Sequence, residues 1–137
     1  MIIDAKNMIV GRIATVAAKK ALMGGKIDII NCESAAVTGK KKFLYQEYSR
    51  KKNQGTFKGP FLPRMPDRFV KRIVRGMLPY KQEKGRKALK NIMCHIGIPK
   101  SLESRDTLKI ENADISKTKN LNYLTVGEIC RKLGRVK

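Results

Sequence analysis

The order of apolar and polar positions predicts short strands alternating with amphipathic helices. Ile2 and Ile3 open a brief apolar run, read as a first strand. From Gly11 onward Ile13, Val16, Ala17 and Ala21 recur at three- and four-residue spacing, the period of one helix face. Gly24-Gly25 ends that pattern, because glycine readily takes the left-handed conformation that closes a helix. Lys26–Cys32 is short and rich in β-branched residues, and reads as a second strand. Strand, helix and strand in this order predict a βαβ unit with a parallel sheet.

Ala35–Gly39 then leads into a second helical stretch with Phe43, Leu44 and Tyr48 facing inward. In it Glu47 and Lys51 are spaced for an i,i+4 pair. Residues 50–66 break the pattern with three prolines and two glycines. They predict an extended basic arm, either lying on the surface or ordered only against a partner. Pro66 suits the first turn of the clearest helix. Its apolar face is Phe69, Val70, Ile73, Val74 and Met77; Arg68, Lys71, Arg72 and Arg75 occupy the other side, and Pro79 ends it. A short basic helix over Lys84–Lys90 precedes Ile92–Pro99, read as a further buried strand. Residues 100–137 form a C-terminal extension that ends in a helix. There Thr125 and Glu128 make a capping box, Val126, Ile129, Cys130 and Leu133 give the apolar face, and Gly134 is the stop. With 137 residues and no internal repeat, the chain reads as one α/β domain, 1–137.

Charge changes this picture more than composition does. Apolar residues make up 42%, enough for a core, but 31 Lys and Arg against 11 Asp and Glu leave a net charge of +20. Such an excess repels itself in a compact body unless a polyanion normally rests against it. The charge is also concentrated. Lys40–Lys90 holds 17 basic residues and three acids, a balance of +14, whereas the other 86 residues carry only +6. A membrane partner is not expected. The longest stretch free of Asp, Glu, Lys and Arg is the nine residues Asn91–Pro99, far below the roughly 18–20 of a spanning helix. The opening residues lack a secretory pattern. Cys32, Cys94 and Cys130 lie far apart with no C-x-x-C spacing, which fits three small apolar residues in a reducing cytoplasm rather than a zinc site or disulfides.

The candidate RNA-binding residues follow from that concentration. Lys40, Lys41 and Lys42 stand at the start of a predicted helix, where the helix dipole disfavours them unless an anion is bound. Taken alone, the cluster reads rather as a solvated charge run whose small cost is tolerated. Arg50, Lys51, Lys52, Lys58, Arg64, Arg68, Lys71, Arg72, Arg75, Lys81, Lys84, Arg86 and Lys87 lie in the same span with very few acids to pair with, unlike ordinary mixed-sign surfaces. A nucleic acid is the partner this implies. Tyr45, Tyr48, Phe57, Phe61 and Tyr80 lie among these cations, either as base-stacking platforms or as core anchors.

Catalysis has little support. His95 stands alone in an apolar run and reads as a satisfied core or edge residue. Nucleophile-elbow, Walker, dinucleotide-binding and zincin motifs are all missing from the sequence. Neither a cofactor nor a small-molecule substrate is expected. An RNA-modifying enzyme with an α/β core is the alternative reading, by fold analogy alone. A DNA-compacting protein is a third.

Several strings resemble the L-thirteen family of large-subunit ribosomal proteins. They are Arg72-Ile73-Val74-Arg75-Gly76-Met77-Leu78-Pro79, followed by Lys81 and Lys84-Gly85-Arg86, and Ile96-Gly97-Ile98-Pro99. Gly11-Arg12-Ile13-Ala14, Asn31-Cys32-Glu33, Thr38-Gly39, and Gly59-Pro60-Phe61 with Arg64, Pro66, Arg68 and Phe69 are similar to that family too. The similarity spans roughly residues 1–100 and, lacking long extensions, is of archaeal type. Cys94 and His95 depart from it, standing where relatives usually carry an apolar and an aromatic residue. The resemblance implies a three-layer α/β/α domain around a mainly parallel four-stranded sheet. It also implies a cytoplasmic ribosomal protein without catalytic activity, whose partners are large-subunit rRNA and neighbouring large-subunit proteins, with a role early in subunit assembly.

Overall fold

In the computed structural model, which describes residues 1–119 and 122–134, the expected βαβ unit forms. Strand β1 (Ile2–Asp4), helix α1 (Val10–Leu22) and strand β2 (Ile27–Ile30) follow one another, and β1 pairs with β2 in parallel register, Ile3 opposite Ile29. Then come β3 (Ala36–Thr38), α2 (Lys41–Asn53), a hairpin of β4 (Gly55–Thr56) and β5 (Gly59–Pro60), α3 (Pro66–Met77), α4 (Glu83–Lys90) and β6 (Ile92–Cys94). The C-terminal part adds β7 (Thr107–Leu108), β8 (Tyr123–Thr125) and α5 (Val126–Lys132). The main sheet is four-stranded, in the order β6-β2-β1-β7, and every pairing in it is parallel. A second small sheet pairs β3 with β8 antiparallel.

This is the α/β class expected, with five α-helices and a parallel four-stranded sheet among the described residues, and the two faces of that sheet are unequally covered. Alternation along each strand sends Ile3, Ile27, Ile29 and Ile92 to one face, where they are buried in the main core with residues of α1, α3 and α4. Alanines 14, 17, 18 and 21 give α1 a small-residue stripe against which α3 packs closely. On the other face, among the described residues, the buried cluster is Ile2, Ile30 and Leu102, the last supplied by the 3-10 turn Lys100–Leu102.

Two of the signature strings meet in space. Asn31 takes a left-handed conformation after β2, its side-chain amide donates to Asp4 Oδ1 at 2.8 Å, and its backbone N–H donates to the Gly97 carbonyl. The Glu33 carboxylate accepts the Gly97 N–H at 3.1 Å. Gly97 has φ +65°, so the chain turns there. Accordingly β6 stops at Cys94 and does not run on to Pro99 as the apolar pattern predicts. His95, just past the strand, places Nε2 3.1 Å from Asp28 Oδ1, a half-buried pair at the thinly covered sheet face. The second strand likewise ends two residues before the expected Cys32, where Asn31 turns.

Other expectations are corrected in detail. Phe43 faces solvent at 61% exposure. Successive residues of α2 advance by roughly 100°, and its narrow inner strip is Leu44, Tyr45 and Tyr48, which leaves Phe43 on the far side. Met77 is exposed at the rim of the α1–α3 contact, its Sδ 3.5 Å from Thr15 Oγ1, and Val16 is half-buried. The 50–66 arm is shorter than predicted. Arg50–Lys52 belong to the last turn of α2, where cations suit the helix dipole, and 55–60 form the hairpin. The capping box forms as read, Thr125 Oγ1 accepting the Glu128 N–H and Glu128 accepting the Thr125 N–H. Cys32 and Cys130 are buried, and Cys94 is partly buried. A hydrogen bond with Cys94, together with burial, pushes the Cys32 thiol far above its ordinary pKa, so it is an unreactive thiol.

Candidate nucleic-acid interface

Helix α3 presents the centre of the basic surface. Its apolar side buries Phe69, Val70 and Val74, which turns Arg68, Arg72 and Arg75 out to solvent and leaves Lys71 half-buried, with Nζ 3.9 Å from Met93 Sδ. Among the described residues none of the three arginines forms an ion pair with a carboxylate. The Arg75 guanidinium lies over the Tyr80 ring, 4.2 Å from its centroid. That stacking fixes the group while leaving its donors free.

Three hollows converge on this helix. A groove of about 420 Å³ runs between Pro60–Pro63 and Arg68, Lys71, Arg72 and Arg75, with Leu89 of α4 as a further wall. A notch of about 180 Å³ lies between Arg72, Arg75, Gly76 and Tyr80. A third hollow, also about 420 Å³ and open to solvent, is lined by Tyr48 and Lys51 of α2, Gln54 just beyond it, Phe61 and Leu62, and Phe69, Arg72 and Ile73 of α3. Arg72 lines all three. A further hollow at the hairpin root includes Lys52.

The fold thus brings Lys51, Arg68, Lys71, Arg72 and Arg75 into one concave region and sets the other expected residues around it. Lys58 is exposed in the hairpin turn, and Arg64 is exposed in the segment leading to α3. Lys40, Lys41 and Lys42 are exposed at the other end of α2, about 15–20 Å from Lys52 along a helix of 13 residues. That N-terminus has no side-chain cap and no acid in its first turn. Lys81, Lys84, Arg86 and Lys87 are exposed on and before α4, and of these Lys87 pairs with Glu83 at 2.8 Å. Two of the five aromatics prove to be anchors in part. Tyr48 packs on Phe69 with centroids 5.3 Å apart, and burial raises its phenol pKa; Tyr45 sits beneath Lys132, whose Nζ is 4.0 Å from the ring centroid. Phe57, Phe61 and Tyr80 are exposed. Gln54, Leu62 and Leu89 line the hollows without being singled out by sequence, since an amide and two leucines carry no charge or motif signal.

Glu47, one turn before Lys51 on α2, is neutralised. It accepts Arg50 Nε and Nη2 at 3.1 and 2.9 Å and lies 3.2 Å from Lys51 Nζ. Those hydrogen bonds bring its pKa from an ordinary 4.5 down to about 2. A depressed carboxylate stabilises the fold above its unfolded pKa and loses that effect as pH falls. The contribution, small because the group is solvated, is therefore fully present above about pH 4.5 and disappears as pH falls through about 2. A carbon-detected NMR titration should place the Glu47 midpoint near 2; a midpoint near 4.5 would contradict the arrangement.

Among the described residues no group of three or more His, Cys, Asp or Glu is placed to hold a metal, and no helix is long and apolar enough to cross a membrane. Comparison with known proteins places this basic surface in a family context. The family model described as Ribosomal protein L13 matches residues 1–101. The large ribosomal subunit protein uL13 of Methanopyrus kandleri is 43% identical over 136 residues, covering 97% of this chain and 86% of its own length. Those of Archaeoglobus fulgidus and Methanococcoides burtonii are 41% and 39% identical, each over 97% of this chain and over 86% and 96% of their own lengths. On this evidence the chain belongs to the L-thirteen family of ribosomal proteins.

Proposed function

We propose that the chain is a structural constituent of the large ribosomal subunit in the cytoplasm, that it grips large-subunit rRNA through phosphate contacts, and that it supports early subunit assembly. The observation that carries this reading is the concave surface of cations without carboxylate partners, Arg68, Arg72 and Arg75, in a protein whose relatives are named for the large subunit. Lys51, Lys52, Arg64 and Lys71 extend that surface. Lys40–Lys42, Arg50, Lys58, Lys81, Lys84, Arg86 and Lys87 lie round it, where an rRNA backbone crossing the groove would continue. Phosphate contacts of this kind fix register and orientation, and the shape of the folded RNA supplies selectivity. The family is one of structural ribosomal proteins, not of enzymes.

The chain acts as one domain. The extension beyond residue 100 supplies β7 to the main sheet and α5 to the main core, and the Arg12 guanidinium donates to the Asn112 carbonyl across that junction. A rigid α/β body of this sort lets the basic face be presented to RNA with little ordering cost. The tagged protein should sediment from a cell lysate with the large-subunit particle and leave it on ribonuclease treatment. Sedimentation as a free small protein, indifferent to ribonuclease, would contradict the assignment.

A further inference from the structure

The cavity between α2, the Phe61–Leu62 stretch and α3 is lined in a way that phosphate contacts alone do not require. Its walls are aromatic and aliphatic: Tyr48, Phe61, Phe69, Leu62 and Ile73. Its polar members are two cations, Lys51 and Arg72, and one amide, Gln54; no acid lines it. At about 420 Å³ it falls within the roughly 300–1,000 Å³ of sites that enclose small planar ligands. Bases within an RNA duplex are stacked and out of reach, but those of loops and bulges splay out and are taken up by aromatic side chains and amide groups.

We propose that this cavity receives one unstacked base of the rRNA. The proposal rests on the rRNA-binding reading above and adds to it a base-binding subsite. Phe61 is the stacking wall. The residue is 56% exposed and lines both this cavity and the neighbouring groove, so a base held here leaves its flanking phosphates beside Arg68, Lys71 and Arg72. Gln54 is exposed, and its side-chain amide has no hydrogen-bond partner among the described residues, so both its donor and its acceptor are free to meet a base edge. Charge decides between a base and the apolar side chain of a neighbouring protein. An apolar side chain would cover Arg72 without giving it a counter-charge, which is unfavourable, whereas a nucleotide brings the anion with the ring.

The test uses the full-length chain and deproteinised large-subunit rRNA in a filter-binding titration over a range of salt. Phe61→Ala should weaken binding about tenfold, the usual cost of removing one base–aromatic stack, with the log–log salt slope unchanged because stacking releases no counterions. Phe61→Tyr should bind like the wild type. Ultraviolet irradiation of purified large subunits should give a nucleotide adduct on the peptide carrying Phe61 or Tyr48. Wild-type affinity in Phe61→Ala would overturn the base subsite and leave the phosphate reading standing, whereas salt-independent binding by the wild type would remove both. A loss accompanied by a shallower slope would make Phe61 a positioning residue for cations and would also overturn it. If Phe61→Ala binds free rRNA normally yet fails to enter reconstituted subunits, the cavity belongs to a neighbouring protein's side chain, and the proposal fails.

Discussion

Replacing Arg72 and Arg75 together with alanine should weaken binding to large-subunit rRNA by about ten- to a hundredfold at moderate salt and leave the fold intact. Both side chains are exposed, and neither forms an ion pair with a carboxylate among the described residues. Arg75 stacks on Tyr80, and among the described residues neither side chain has a hydrogen-bond partner. Removing them therefore costs the protein little, since surface substitutions of this kind usually change stability by no more than about 0.5 kcal/mol. The RNA loses two cations that line the same groove and notch. Each phosphate contact contributes about 0.7–0.9 to the log–log salt slope, so the double variant should flatten it by about 1.4–1.8. A double replacement by lysine should keep the slope but recover only part of the affinity, because lysine lacks the planar fork that meets a phosphate twice. Unchanged affinity in the alanine variant would move the contact face away from α3.

Gly85→Ala should destabilise the protein by about 3 kcal/mol, although glycine to alanine inside a helix ordinarily stabilises by about 0.5–1 kcal/mol. The reversed sign has a local cause. Gly85 is buried in α4 with its backbone pressed onto the Pro79–Tyr80 turn. A Cβ there would overlap the Pro79 carbonyl carbon and oxygen and would stand 2.9 Å from the Tyr80 nitrogen. Those atoms are backbone, so the helix or the turn must move. Gly76, near the end of α3, makes the control, because a Cβ at that position meets nothing within 4 Å, and Gly76→Ala should be neutral or slightly stabilising. Urea unfolding of the two variants reads the contrast. An unfolding midpoint for Gly85→Ala equal to the wild type would contradict the packing described. Because Tyr80 and the cations of α4 flank that turn, the same variant should also bind rRNA less well.

The sequence discloses those elements whose signals are local. The βαβ unit, α3 and the capped α5 each combine a clean apolar period with a stop or cap residue, and each forms close to where it is read. What depends on distant partners is not legible. Strand β7 is two residues long and exists because β1 offers an open edge, and β3 is a strand because β8 returns more than eighty residues later to pair with it. The apolar run from Ile92 looks like one long strand. Its interruption depends on Glu33, far away in sequence, capturing the Gly97 N–H. The candidate site divides in the same way. Its cations stand out by count, and the strings that resemble the family are those that hold the fold around them. The groove itself arises only when Pro60–Pro63 lies along α3, which places Leu62 and Leu89 among the arginines without any sign of it in the residue order.

The most direct test of a phosphate-gripping surface is the salt dependence of the wild-type chain's affinity for deproteinised large-subunit rRNA. Lys51, Arg68, Lys71, Arg72 and Arg75 share one concave region. If each meets a phosphate, the logarithm of the association constant should fall against the logarithm of salt with a slope of about −3.5 or steeper. An affinity that stayed nearly constant from low to moderate salt would contradict the account.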